Sequence, residues 1–397
     1  MSARTILVTD GEQRSALALV RSLGRAGHRV HVASASGRSL AGSSRFARAD
    51  HAIPEALAAP AAHVDALAAL ARSLGAEVLV PVTEGSLLAV LPARAQFDGV
   101  TIPFVDFEQF SAISDKARVL AEARAIGIAV PEAINVARRE ELTAEVARLL
   151  RYPVVLKPSR SVSAGAGSAA KHDVRHAADA AELMRIAGEL PASAFPLLVQ
   201  RRIVGPGQGI FLLRWDGRTV ARFAHRRLRE KPPAGGVSVY SESVAADDAL
   251  VAKSESLLER FGWRGVAMVE YKLDAATGTP YLMEVNGRFW GSLQLAIDAG
   301  VDFPALLVRA AMNEQPAAVT GYRVGARNRW WWGDVDQLLT RLRRSRRRLS
   351  LPPDMPGRLR AIGEFVAATL APGRNEVLHL DDPRPFVHET LNWVRGR

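Results

Sequence analysis

Cysteine is absent from this chain of 397 residues. Its absence excludes disulfide bonds, thiolate nucleophiles and cysteine-ligated zinc or iron–sulfur centres. No apolar stretch approaches the roughly 20 uninterrupted residues that a membrane-spanning helix requires. The N terminus leads from Met1 into a short β-branched strand without the pattern of a signal peptide. These absences predict a cytoplasmic location and no transmembrane segment.

Lysine is scarce although the chain is basic, with a formal net charge of +11. A basic chain can bind nucleic acid or an anionic membrane surface. Here the arginines are dispersed and alanine is abundant, a bias that we attribute to GC-rich coding. Nucleic acid is therefore not an expected partner. Only a few of the 52 basic residues are lysines: Lys116, Lys157, Lys171, Lys231, Lys253 and Lys272.

Two apolar strands end in residues that suit a metal ion. One strand ends at Glu270, and a later one ends in Glu284-Val-Asn286-Gly-Arg288. Because side chains alternate along a strand, Glu284, Asn286 and Arg288 share one face. Two carboxylates and an amide oxygen suit Mg²⁺, with Mn²⁺ as a possible substitute, and the remaining ligands would be water and phosphate oxygens. The alternative is a surface ion pair between Glu284 and Arg288, but the second strand ending in a carboxylate favours the metal site.

The N-terminal region alternates strands and helices. Residues 4–9, 28–33 and 77–82 read as strands, and residues 14–24 and 63–74 read as helices. This order predicts a parallel α/β domain, with Thr83 and Glu84 at the strand edge where such sheets place ligand groups. A dinucleotide site is unsupported, because no Gly-x-Gly-x-x-Gly follows the first strand.

Local patterns predict further elements in the middle of the chain. A helix capped by Ser114 or Asp115 is expected to run to about Ile126, and a second helix from Arg139 to Leu150. Asp216-Gly217 is expected to join two strands in an antiparallel hairpin.

A lysine and a flexible loop follow in the middle of the chain. Lys157 ends an apolar strand that holds its ammonium group at a fixed point, and residues 159–168 are rich in glycine and serine. Gly165 and Gly167 allow backbone N–H groups to approach phosphate oxygens and allow the loop to move as a lid. A surface loop without a ligand is the alternative.

The next strand ends at a candidate base-binding segment. Gln200 could hydrogen-bond the exocyclic amine of adenine, and Gln208 lies within plausible reach of a ribose. A plain strand end is the alternative.

The ordered set of lysines, glycine loop and acidic strand ends resembles the ATP-grasp superfamily, over about residues 1–315. Members of this superfamily form an acyl phosphate from a carboxylate and ATP and pass the acyl group to an amine. The resemblance implies that Lys116 and Lys157 hold ATP phosphates and that the loop around Gly165 and Gly167 closes over them. It also implies an adenine hinge at Gln200, Arg201 and Ile203, a ribose contact at Gln208, metal ligands Glu270, Glu284 and Asn286, and Arg288 as the catalytic arginine facing the transferred phosphate.

A second stretch, from Ala224 to Ser238, looks like a segment of ATP-grasp carboxylate–amine ligases. Its arginines could hold phosphate or a substrate carboxylate, and its paired glycines leave backbone donors free for an oxyanion. Strand alternation puts Arg226 on the face opposite its neighbours. A solvated basic hairpin is the alternative. The candidate substrate-binding residues are His225, Arg226, Arg227, Gly235 and Gly236.

The resemblance implies a multidomain α/β and α+β protein. A parallel α/β domain is expected at residues 1–112, the small and large lobes of an ATP-grasp module at 113–198 and 199–315, and a helical extension at 316–397. The expected function is ADP-forming ligation of an amino acid or other small carboxylate to an amine, with ATP and Mg²⁺. Homo-oligomerisation is possible, and an ATP-binding regulatory or scaffold protein without ligase activity is the alternative.

The C-terminal region carries two further patterns. Trp330-Trp331-Trp332 is expected to anchor the extension on the core, since such rings bury a large area. Residues 343–348 contain five arginines and are expected to form a solvated helix end, although they could touch an anionic lipid or polymer.

Overall fold

The computed structural model describes residues 3–160, 174–352 and 355–396, and it describes the backbone alone at 162–164 and 169–171. The glycine-rich loop predicted around Gly165 and Gly167 therefore lies outside the described residues.

A parallel sheet forms the N-terminal region, as the alternating pattern predicts. Its strand order is β3-β2-β1-β4, and all its pairings are parallel. Strand β3 was not predicted, because its side chains are half-exposed and carry no apolar alternation. The elements are β1 (Thr5–Val8), α1 (Arg14–Arg25), β2 (Arg29–Ser34), β3 (Ala47–Ala52), α2 (Pro60–Leu74), β4 (Val78–Val80), α3 (Glu84–Val90) and α4 (Phe107–Ile113).

A smaller antiparallel sheet follows, with the order β5-β10-β6-β9. Its face toward α6 and α7 has a separate apolar core that includes Leu156, Leu183 and Leu197, so the segment from β5 to β10 forms a distinct lobe. Helix α5, which precedes it, packs on the main core through Val119 and Leu120. The elements are α5 (Lys116–Ala125), β5 (Ala133–Val136), α6 (Ala144–Leu149), β6 (Val154–Pro158), β7 (Val162–Ala164), β8 (Ala169–Lys171), β9 (Arg175–Ala177), α7 (Ala180–Glu189) and β10 (Leu197–Arg201).

One helix start differs from expectation and another agrees with it. A helix was expected from Arg139 to Leu150, but residues 139–141 form a short 3₁₀ turn and α6 begins only after Thr143. The Thr143 hydroxyl accepts the Val146 N–H and so caps the shorter helix. Asp115 caps α5, as one of two candidates predicted, and its carboxylate also accepts the Ser159 hydroxyl at 2.9 Å.

A large sheet with the order β15-β14-β11-β12-β13-β16-β17 holds the predicted acidic strands. The hairpin predicted at Asp216-Gly217 is confirmed: both residues have positive φ (48° and 76°), as in the type I′ turn of a two-residue hairpin. The elements up to residue 311 are β11 (Gly207–Trp215), β12 (Arg218–Lys231), β13 (Val237–Ser243), α8 (Asp248–Arg260), β14 (Gly265–Leu273), β15 (Pro280–Asn286), α9 (Leu293–Ala299) and α10 (Phe303–Ala311).

The C-terminal segment joins this sheet and the N-terminal region. Arg14 of α1 lies over the Trp330 ring at 3.9 Å, which confirms the predicted anchoring role for Trp330. Trp331 packs on Phe365 and Trp332 stacks on Trp393 at 4.1 Å, so these two rings contact the C-terminal segment itself. Residues 343–348 are exposed, as predicted. The elements are β16 (Arg327–Arg329), α11 (Trp331–Arg343), α12 (Arg358–Leu370), β17 (Arg374–Asn375) and α13 (Arg384–Val394).

The expected fold class is confirmed, because a parallel sheet precedes mixed and antiparallel sheets with helices. The three boundaries between the four expected domains stay predictions. Strand β10 crosses the expected boundary between residues 198 and 199 and pairs entirely within the small lobe, which favours a boundary after Arg201. Among the helices of the described ranges, none combines the length and apolar character needed to cross a bilayer.

Candidate functional site

The two strand-end carboxylates meet on one face of the large sheet. Strands β14 and β15 are antiparallel neighbours, and Glu270 lies directly opposite Glu284 in their register. Opposed residues of an antiparallel pair point to the same face. The same register sets Asn286 opposite Met268, also on this face. The structure therefore brings together the three predicted metal ligands.

A chain of hydrogen bonds continues from these ligands to the predicted catalytic arginine. The Asn286 amide nitrogen donates to Glu284 Oε1 at 3.0 Å, and Arg288 Nη2 donates to Asn286 Oδ1 at 3.1 Å. Arg288 also donates to the Phe289 carbonyl at 2.9 Å. Asn286 thus orients both Glu284 and Arg288, and the direct Glu284–Arg288 ion pair considered from the sequence is replaced by a relay through the amide.

The predicted phosphate-binding lysines lie beside Glu284. Lys116 is the first residue of α5, and its Nζ is 3.6 Å from Glu284 Oε2. Its backbone N–H donates to the Ser159 carbonyl at 3.0 Å, which ties the start of α5 to the end of β6. Lys157 of β6 is paired with Leu198 of β10, and Gln200 lies two positions after Leu198. Lys157 and Gln200 therefore lie on the same face of the small sheet.

The charges on this face shift the ionisation of its groups. Burial raises the pKa of Glu284, but Lys116 and Lys157 outweigh burial and bring that pKa to about 2. Burial lowers the pKa of Lys157, and Glu284 partly offsets that effect. Glu284 is therefore a carboxylate at neutral pH, held between cations that can also neutralise phosphate oxygens.

Arg227 binds the second carboxylate. Arg227 Nη1 and Nη2 donate to the two oxygens of Glu270 at 2.9 and 2.6 Å, and Nη1 also donates to Glu230 at 2.9 Å and to the Gly236 carbonyl at 3.1 Å. Burial raises the pKa of Glu270, and Arg227 offsets only part of that rise. Two-point binding of this kind is strong and directional. Sequence reasoning placed Arg227 against a substrate and missed this internal partner.

Two further charged residues that sequence reasoning missed complete this cluster. Glu230 accepts from Arg227, and Lys272 Nζ lies 4.0 Å from the Glu230 carboxylate. Lys272 is two positions beyond Glu270, so strand periodicity alone could have placed it on the site face. An ideal Cβ at Gly207 would lie 3.0 Å from Arg227 and from Glu230, so this glycine leaves room for their pair.

A cleft at this site also receives a residue from the N-terminal sheet. Glu84, the first residue of α3, lines it together with Arg288. Thr83 caps α3 by accepting the Ser86 N–H, and this cap sets the position of Glu84. The position of Glu84 at a strand edge was noted from the sequence, but its proximity to Arg288 was not predicted. The complete lining is Glu84, Phe110, Ser114, Lys116, Glu284, Val285, Asn286, Gly287 and Arg288.

The predicted adenine hinge lies where the small lobe joins the large sheet. Gln200 is 2% exposed, and its amide nitrogen has no hydrogen-bond partner within the described ranges. Ile203 is buried. Arg201 lies over the Tyr281 ring at 5.6 Å, and its place in β10 gives it the face opposite Gln200.

Other predicted residues are not brought to the acidic pair. Gln208 is opposed to Arg226 and Tyr271, on the face that lies against α8. Arg226 donates to Glu242 at 2.7 and 3.1 Å on that same face. The opposite orientations of Arg226 and Arg227 agree with the expected alternation. A ribose contact at Gln208 and a substrate contact at Arg226 stay predictions that this register does not favour.

His225 and the paired glycines lie behind and beside Arg227. His225 is fully buried with its ring edge-on to Phe211 at 4.6 Å, and burial first, then Arg227, hold its pKa well below the usual value. It is a neutral packing residue in this conformation. Gly235 has a φ of 135°, and a Cβ there would lie 3.8 Å from Lys272 Nζ, so it borders the charged cluster.

The donor set fits a hard divalent cation. Clusters of three or more histidine, aspartate or glutamate residues that could enclose a metal are absent from the part of the chain that the structure describes. Mg²⁺ does not need such a cluster, since it commonly takes one or two carboxylates and completes its shell with water and phosphate. Glu270, Glu284 and Asn286 match that pattern.

Comparison with known proteins points to one fold. Residues 193–331 match the family described as ATP-grasp in the biosynthetic pathway with Ter operon. The phosphoribosylamine–glycine ligase of Caulobacter vibrioides is 26% identical over 291 residues, which cover 66% of this chain. The match spans 65% of that relative, slightly less than two thirds of its length.

Two solved structures share the architecture. The biotin carboxylase domain of Hydrogenobacter thermophilus 2-oxoglutarate carboxylase, in complex with MgADP, ADP and bicarbonate, has a TM-score of 0.64 and 17% identity over 82% of this chain and 74% of that chain. The L-amino acid ligase of Bacillus licheniformis has a TM-score of 0.63 and 17% identity over 80% and 76%. At such identities these likenesses establish the fold. Together with the family match over residues 193–331, they show that the chain has an ATP-grasp fold.

Proposed function

We propose that this protein is an ADP-forming ligase that activates a carboxylate as an acyl phosphate and joins it to an amine. One observation carries the proposal: Lys116, Glu284, Asn286 and Arg288 line one cleft, and Glu270 lies opposite Glu284 on the same face of the sheet. This set combines metal ligands with cations that can hold phosphate. The names of the relatives support it, since one is a glycine ligase and another an L-amino acid ligase.

ATP and Mg²⁺ are the proposed cofactors. Glu270, Glu284 and Asn286 would hold Mg²⁺, which when bound would neutralise phosphate charge. Lys116 and Lys157 would hold phosphate oxygens from the side of α5 and β6. The buried, unpartnered amide nitrogen of Gln200 is available to an acceptor on a nucleotide base. The MgADP in the H. thermophilus structure supports this choice of ligand.

The residues of this chain contribute position and charge rather than a covalent nucleophile. Arg288, held by Asn286 and the Phe289 carbonyl, would face the transferred phosphate and steady the acyl phosphate before the amine attacks. Holding the carboxylate and the phosphate in line lowers the entropic part of the barrier. Glu84 adds a negative group to the cleft, where it could hold an ammonium group of an amine substrate.

An amino acid or another small carboxylate is the proposed substrate, and the cytoplasm the proposed location. The test is a screen of carboxylate and amine pairs for phosphate release, with mass measurement of the product. We expect ADP and phosphate to appear only when both substrates are present. If ATP binds but no pair of substrates is turned over, the regulatory or scaffold alternative is supported instead. The ion pair between Arg227 and Glu270 is compatible with that alternative, because it neutralises one of the proposed metal ligands.

Arg227 is expected to compete with the metal for Glu270. In Arg227→Ala, a guanidinium no longer repels the divalent ion, so we expect Mn²⁺ to bind about tenfold more tightly without nucleotide. The pKa of Glu270 is already raised and would rise further without Arg227, so the gain should be larger at pH 8 than at pH 6. Calorimetric titration with Mn²⁺ measures the effect.

Arg226→Ala is the matched control, because Arg226 is the neighbouring arginine but pairs with Glu242 on the other face. Its Mn²⁺ affinity should equal that of the unmodified protein. Equal or weaker binding by Arg227→Ala at pH 8 would contradict the competition.

A further inference from the structure

Helix α12 presents apolar side chains to solvent. Leu359, Ile362, Val366 and Leu370 form a line along the helix at intervals of three and four residues, which we call the apolar stripe. Their exposed fractions are 85%, 39%, 50% and 81%. A surface helix normally turns such a line inward against the core.

The opposite face of α12 is the one that holds it to the protein. Ala361 is buried, and Phe365 packs on Trp331 of α11 with ring centres 6.0 Å apart. The Phe365 ring also lies 4.2 Å from the Arg329 guanidinium. The helix is therefore attached by its inner face, and the apolar stripe is a second face that the fold itself does not use.

An arginine-rich segment lies at the start of the same helix. Residues 343–348, which we call the arginine segment, are all exposed. The Arg346 guanidinium donates to the carbonyls of Pro352 and Met355, at 2.7 and 2.8 Å, and Arg358 donates to the Arg344 carbonyl at 3.3 Å. These bonds hold the arginine segment beside the N-terminal turn of α12.

The local charge is strongly positive. Between residues 337 and 363 the sequence contains eight arginines and a single acidic residue, Asp354. Within α12, Arg360 pairs with Glu364 at 3.0 Å. A dense positive field thus adjoins an exposed apolar line.

We propose that the apolar stripe and the arginine segment together bind an anionic membrane surface. Apolar side chains of such a helix enter the boundary between headgroups and acyl chains, and arginines pair with lipid phosphates. A second copy of the chain on the stripe would bring two arginine segments into one assembly, where they repel each other. A nucleic acid would engage the arginines and leave the stripe in water. The lipid surface satisfies both features at once.

Vesicle co-sedimentation tests this proposal with the full chain. We expect binding to vesicles of phosphatidylglycerol and phosphatidylcholine that falls as salt rises, and little binding to phosphatidylcholine alone. Leu359→Ser with Leu370→Ser should weaken binding by about tenfold or more, because both side chains leave the lipid. Arg347→Gln with Arg348→Gln should weaken it and reduce its dependence on salt.

Leu149→Ser in α6 is the matched control, since Leu149 is 80% exposed but lies in the small lobe. It should bind vesicles like the unmodified protein, and all variants should keep the same circular dichroism. Equal binding to neutral and anionic vesicles, or no loss in either double variant, would overturn the proposal. Dimerisation that is lost in the double leucine variant would also overturn it, because the apolar stripe would then serve self-association. Binding to a nucleic-acid duplex that is as tight as vesicle binding, and unchanged in the double leucine variant, would overturn it as well.

Discussion

Glu284→Ala is expected to lower substrate-dependent ADP formation by at least about 10³-fold, or roughly 4 kcal/mol of transition-state stabilisation. Glu284 is the point where the groups of the site meet, with Lys116 at 3.6 Å and the Asn286 amide at 3.0 Å. Removing the carboxylate takes away a proposed metal ligand and the negative charge that faces Lys116 and Lys157. The measurement is coupled-assay turnover with a substrate pair found by the screen.

Glu284→Gln separates charge from shape in the same experiment. The amide keeps the size of the side chain but cannot supply a negative oxygen, so its loss of rate should approach that of alanine. The exposed Glu259→Ala in α8 serves as the control and should retain full turnover. Melting temperatures of all three variants close to that of the unmodified protein would show an intact fold. Turnover of Glu284→Ala within tenfold of the unmodified rate would contradict the assigned role.

Arg21→Ala is expected to lower the free energy of unfolding by about 3–5 kcal/mol. Arg21 of α1 is fully buried, and its guanidinium donates to Asp382 at 2.9 Å and to the carbonyls of Glu376, Val377 and Asp382. Asp382 in turn accepts the Ser44 hydroxyl at 2.7 Å. Removing the cation leaves a buried carboxylate and several carbonyls without a donor, which is costly. Urea denaturation measures the change.

The neighbouring pair Arg25–Asp381 supplies a matched control. It has a similar distance of 2.8 Å, but its side chains are 36% and 51% exposed. Exposed ion pairs contribute about 0–1 kcal/mol, so Arg25→Ala should change stability little. The double variant Arg21→Met with Asp382→Leu should recover much of the loss, because it removes both buried charges together. Equal effects of Arg21→Ala and Arg25→Ala would show that burial of the pair does not govern its contribution.

The local parts of the fold and site follow from sequence patterns. The strands ending at Glu270 and Glu284, the helix after Asp115 and the hairpin at Asp216 all have short-range causes: side-chain alternation, an N-cap and positive φ angles. For the same reason, the sequence placed Glu284, Asn286 and Arg288 on one face. The family resemblance added the partners that lie far apart in the chain, such as Lys116.

The sequence by itself determined the chemical groups of the site and their spacing within each strand. Only the tertiary structure decided which groups come together. Arg227 binds Glu270, Arg21 binds Asp382, and Glu84 lines the same cleft as Arg288. Each of these arrangements depends on strand register or on the packing of elements that are far apart in the sequence. Such packing is set by the burial of many apolar side chains at once, and no short stretch of sequence encodes it. The sequence therefore predicts the carboxylates of the site, whereas the ion pair between Arg227 and Glu270 is seen only in the structure.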